Sequence, residues 1–107
     1  MRLVKVERQA VARLRDELVE RFSAMEVRLF GSAARGTMDE ESDIDLFVVV
    51  PHLDWDMELA MYDAAFEAGL LANRPITLSI FTAQEVEGTP LRSSALLRQV
   101  RREGKPV

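Results

Sequence analysis

A chain of 107 residues with 18 acidic and 14 basic side chains, net charge −4, has the length of one domain with a real core. At 48% hydrophobic and 30% charged it is too apolar for a disordered chain, and its scattered arginines lack the concentrated basic face that duplex nucleic acid requires. It has no cysteine for disulfides or thiolate metal sites and no run of membrane-span length, and Arg2, Lys5, Glu7 and Arg8 break any apolar leader; these features read as a soluble cytoplasmic protein.

From about Lys5 to Ser23, Val11, Leu14, Leu18 and Phe22 recur at helical spacing, which predicts an amphipathic first helix. Val27 and Leu29 belong to a short strand that ends at Gly31. A helical turn from Ser32 to Arg35 follows, closed by Gly36, and then a polar loop from Thr37 to Ser42. Ile44 to Val50 is almost wholly apolar, the pattern of a strand covered on both faces, and Pro51 stops it. The next helix runs from about Asp54 to Ala72, with Trp55, Leu59, Tyr62, Phe66 and Leu70 as its apolar stripe. Asn73 and Pro75 end it. Ile76 to Phe81 is a third strand, and Thr82 opens a short turn. Thr89 as N-cap and Pro90 at the first position start a last helix, with Leu91, Leu96, Leu97 and Val100 inward, Arg92, Arg98, Arg101 and Arg102 outward, and Gly104 at its end. The order predicts an α+β domain spanning residues 1–107, a small mixed β-sheet with helices packed on it.

The chemistry gathers in "LFGSAARGTMDEESDIDLFVVV", Leu29 to Val50. Alternate strand residues share a face, so Asp43 and Asp45 project together about 6.6 Å apart along the strand. Two carboxylates so placed suit a hard divalent cation such as Mg²⁺, which completes its shell with phosphate oxygens and water. Gly31, between strand and turn, lets a ligand approach the backbone, and the N–H groups beginning at Ser32 suit an anion. Arg35 sits in that turn, within reach of a triphosphate or of solvent. Gly36 supplies the exit conformation, and Ser42 either caps its loop or adds to the site. An Asp-x-Asp pair alone is also what a solvated strand start looks like; the combined spacing is far more specific.

Gly31-Ser32-x-x-x-Gly36 followed by Ser42-Asp43-x-Asp45-Leu46 resembles the signature of the DNA polymerase β-type nucleotidyltransferase superfamily, and the short length resembles its minimal branch. The C-terminal "RREGKPV" is similar to the helix–Glu–Gly ending of those proteins. The resemblance implies transfer of a nucleoside monophosphate, AMP from ATP, to a hydroxyl. Gly31 and Ser32 would hold the β- and γ-phosphates, with Arg35, Gly36 and Ser42 completing the nucleotide site. Asp43 and Asp45 would bind Mg²⁺ and carry the catalysis. It further implies a HEPN-type helical partner protein that such members neutralise, in some cases by adenylylating it.

Active members carry a third carboxylate on the neighbouring strand. Here that strand offers Thr77 and Ser79, and a neutral hydroxyl is a poor Mg²⁺ ligand and a poor base. Glu85 falls on the following turn. The residues therefore support two readings, a working transferase and a degenerate module that binds nucleotide or neutralises its partner by contact. His52, the one histidine, reads as a loop residue. Trp55 and Tyr62, with Met57 and Met61 beside them, read as core or as a partner surface. A partner, or a second copy in a homo-oligomer, would supply the wall that so small a domain lacks over its nucleotide.

Overall fold

The computed structural model describes residues 3–39, 41–88 and 95–107. Its elements are α1 (Lys5–Phe22), β1 (Glu26–Phe30), α2 (Gly31–Arg35), β2 (Ile44–Val50), α3 (Trp55–Ala72), β3 (Ile76–Thr82), α4 (Ala83–Gly88), α5 (Ala95–Glu103) and β4 (Lys105–Pro106). The expected helix start at Thr89 and Pro90, the placement of Leu91 and Arg92, and the Leu96 side chain lie outside the described residues.

The four strands form one mixed sheet in the order β3-β2-β1-β4. β1 runs antiparallel to β2, and β2 runs parallel to β3 across the α3 connection. β2 is buried along nearly its whole length, as its unbroken apolar run requires. Ile44, Leu46, Val48 and Val50 face one layer, where Val11, Leu14 and Leu18 of α1 and Met61, Ala65 and Ala68 of α3 pack. Phe47 and Val49 face the other, with Val86 of α4 and Leu97 and Val100 of α5. β4 was not expected. Two residues carry no periodicity, and this strand exists because the chain turns at Gly104 and lays Lys105 against Leu29.

The stripe expected to bury α3 points the other way. Trp55 is 71% exposed, Phe66 68% and Leu70 67%, with Leu59 and Tyr62 also exposed. The buried face is Met61, Ala64, Ala65, Ala68, Gly69 and Ala72. Small residues win here because the helix lies close to its neighbours: a Cβ on Gly69 would stand 3.1 Å from the Arg74 carbonyl oxygen. Large apolar residues do not fit that gap, so the helix turns its alanines inward and its aromatics outward.

A buried ion pair ties the layers at one end. Arg74 donates from Nε to Glu7 at 2.7 Å, and from Nη1 to the Asp39 and Ser42 carbonyl oxygens at 2.9 and 2.6 Å. The side chains of Arg74 and Glu7 are 9% and 7% exposed. Burial opposes ionisation of Glu7, but the Val4 N–H and Arg74, by hydrogen bond and by charge, outweigh it and hold the carboxyl below its usual value. Arg74→Met leaves that carboxylate buried and unpaired, and we expect a loss of about 3–5 kcal/mol in urea unfolding at neutral pH. Because the folded pKa of Glu7 lies below the unfolded one, its contribution is complete above the ordinary glutamate range and falls away as pH drops through the folded value. The stability gap between wild type and Arg74→Met should therefore narrow in acid.

Candidate functional site

Three strand ends meet at one edge of the sheet. β1 delivers Phe30 opposite Asp45, and β3 delivers Thr77 beside the same Asp45. Past Phe30 the chain turns sharply into α2. Gly31 takes φ +66°, a conformation L side chains avoid. It also lies against the carboxylate: a Cβ there would stand 2.8 Å from Asp45 Oδ2. The positive φ favours glycine at this position, and a side chain here would oblige the Asp45 carboxylate to shift. Gly36, at φ +72°, releases the chain from α2, and the Ser32 carbonyl accepts from the Gly36 and Thr37 N–H groups, which closes the turn.

Gly31 and Asp45 are thus in contact across the sheet edge, and Ser32 follows on the first turn of α2. Asp43 directly precedes β2 and is exposed, while Asp45, the second residue of β2, is half-buried. Two other expected residues are engaged elsewhere. Arg35 reaches Glu103 of α5 in an exposed pair at 3.4 Å. The Ser42 hydroxyl donates to Asp39 Oδ1 and accepts from the Asp39 N–H, both at 3.0 Å, so it caps its own loop. The Glu41 N–H and the Ser42 hydroxyl hold the Asp39 carboxyl below its usual value.

Thr77 stands where a third carboxylate was sought, and its hydroxyl donates to Asp45 Oδ1 at 2.6 Å. Ser79 lies further along β3, opposite Phe47. Glu85 accepts from the Thr82 N–H at 3.0 Å and does not reach the sheet edge. Among the described residues no group of three His, Cys, Asp or Glu side chains gathers within metal-binding range. Asp43 and Asp45 carry the oxygen donors that a hard divalent cation takes, and two acids would make a weaker site than three. His52 is an exposed loop residue.

Sequence reasoning did not single out Arg74, which ties down the loop preceding Asp43 through the Asp39 and Ser42 carbonyls. A lone Arg-Pro dipeptide carries no such signal, because its partners come from residues far away in sequence. Among the described residues no helix is long and apolar enough to cross a membrane.

Residues 11–100 match the sequence profile described as the nucleotidyltransferase domain. A toxin–antitoxin crystal structure with AMP-PNP is similar at TM-score 0.62 and 26% identity, over 94% of this chain and 70% of that one. A mutant of the toxin–antitoxin MntA–HpeT is similar at TM-score 0.62 and 25% identity, with the same coverage of 94% and 70%. A structure assigned as a minimal nucleotidyltransferase is similar at TM-score 0.61 and 28% identity, over 94% of this chain and 95% of that one. No curated protein matches the chain.

Gly31→Ala adds a side chain at positive φ and drives it into Asp45. We expect a loss of about 1–2 kcal/mol in thermal or urea unfolding from the backbone alone.

Proposed function

The chain belongs to the nucleotidyltransferase domain family, and from that membership we propose that it is an antitoxin-type nucleotidyltransferase, which transfers AMP from ATP to a hydroxyl of a HEPN-type helical partner protein. The observation that carries this reading is the contact between Gly31 and Asp45, which sets a glycine turn and a carboxylate against each other with no room for a Cβ. The arrangement supports triphosphate binding at the turn and metal binding at the aspartates. Gly31 and Ser32 would take the β- and γ-phosphates, and Gly36 sets the turn. Asp43 and Asp45 would hold Mg²⁺. When bound, the ion would neutralise phosphate charge and polarise the phosphorus under attack.

The chemistry implied is attack of the partner's hydroxyl oxygen on the α-phosphorus. The α–β phosphoanhydride bond breaks, pyrophosphate leaves, and the hydroxyl proton must find a base. Among the described residues the carboxylates at the site are Asp43 and Asp45; Asp45 Oδ1 already accepts from Thr77, so Asp43 would take the proton. Arg35 is bridged to Glu103 and would have to leave that exposed pair to meet a phosphate, at little cost.

The Thr77 hydroxyl bond favours a second reading, a module that binds nucleotide and neutralises its partner without turnover. The two readings part on labelling. Incubated with α-phosphate-labelled ATP, Mg²⁺ and its partner, a transferase labels the partner, and a binding module does not while still inhibiting it.

Calorimetric titration with ATP tests the site itself. We expect binding that requires Mg²⁺ and is lost in Asp43→Asn. Binding indifferent to both the metal and the mutation would refute the assignment. Thr77→Asp restores a third anionic ligand beside Asp45, and we expect Mg²⁺ to bind on the order of tenfold tighter. Unchanged Mg²⁺ affinity in that variant would show that position 77 does not face the metal.

A further inference from the structure

The outer face of α3 carries a large exposed apolar stripe. Trp55, Leu59, Tyr62, Phe66 and Leu70 fall on one stripe at helical spacing, and all are exposed. Isolated exposed apolar residues need no explanation, but five on one stripe along about four turns of one helix do. The stripe continues into a groove of about 580 Å³ between α3 and the edge strand β3, lined by Tyr62, Phe66, Leu70, Pro75, Thr77 and Leu78. Thr77, one of the residues lining the groove, is also the residue bonded to Asp45. The stripe's polar rim is of one sign: Asp56 and Asp63 flank it on one side and Glu58 on the other, and α3 contains no Lys or Arg. Arg74 lines the groove but is committed to Glu7 and to two carbonyl oxygens. Glu58 also lifts the Tyr62 hydroxyl above its usual pKa, behind the larger effect of burial, so this tyrosine stays neutral and can donate.

We propose that this face is the docking surface for the partner protein, and that the partner presents a helix whose apolar ridge is flanked by Lys and Arg. The apolar stripe supplies aromatic anchors of the kind that dominate interfaces, and the acidic rim selects a basic counterpart and repels an acidic one. A helix laid along the stripe leads toward Thr77, which brings the partner's neighbouring hydroxyls to the end of the sheet where Asp45 stands. The inference rests on the transferase reading for the identity of the partner, while the surface and its charge preference stand on the geometry of α3.

Two fluorescein-labelled synthetic peptides test it, both amphipathic helices with the same Leu ridge, one flanked by Lys and one by Glu. The Lys peptide should bind, with amide shift changes gathered on α3 and on residues 76–78. Its affinity should fall about tenfold in Phe66→Ser and again in Leu70→Ser, and weaken with added salt. Both substitutions lie on the exposed face, and unfolding midpoints close to wild type would confirm that the loss is one of contact. No binding, equal binding of the Glu peptide, shift changes elsewhere, or affinity indifferent to both substitutions would each overturn the proposal. Sedimentation showing a dimer of the wild-type chain that Phe66→Ser dissociates would also overturn it, because a second copy would then cover the face. Titration of Phe66→Ser with ATP and Mg²⁺ separates the two claims. Nucleotide binding retained with peptide binding lost supports docking as a function apart from the site. If the wild-type protein binds the Lys peptide on α3 but no nucleotide, the docking surface stands and the transferase reading falls.

Discussion

β2 must be covered on both faces, because Leu46 to Val50 is apolar without interruption. That demand explains the layers. One face takes α1 and α3, the other α4 and α5, and the neighbouring strands satisfy the backbone. Burial relents at the start of the strand on one face, at Asp45 and at Asp43 just before it. Carboxylates are costly to bury, so the sheet can carry them at an edge that stays open to water and ions. The strand that organises the core therefore also delivers the charged groups to a defined place.

Two close approaches hold that edge. Gly31 lets β1 end against Asp45 with no Cβ between them, and Arg74 ties the loop before Asp43 to β3 and α1. They differ in kind. The first is steric and local, the second an ion pair spanning residues far apart in sequence. Together they fix the backbone on both sides of the aspartate pair before any ligand arrives, which is the condition for a site to bind without reorganising.

The Thr77 hydroxyl sets the chemical character of this edge. Its bond to Asp45 Oδ1 orients that carboxylate yet adds no negative charge. On the opposite side of α3, the apolar stripe was visible in the sequence as a period, but its direction was not. Periodicity reports that one face of a helix is apolar, not which face the neighbours have room for. Alanines at 64, 65 and 68 and Gly69 pack inward because the approach is close, and the aromatic residues are left outside.

By itself the sequence determined the element order from α1 to the last helix, the glycine turn, and the aspartate pair. It also determined the vacancy at Thr77 and Ser79, since all of these rest on local spacing and residue chemistry. The tertiary structure alone decided the strand order, the β4 pairing, the outward turn of Trp55 to Leu70, and the engagement of Arg35 and Ser42 by Glu103 and Asp39. It also decided that Arg74 and Glu7 meet. The physical reason is the same throughout. A period or a motif is written in neighbouring residues, whereas a contact between distant residues depends on how much space the packed layers leave between them.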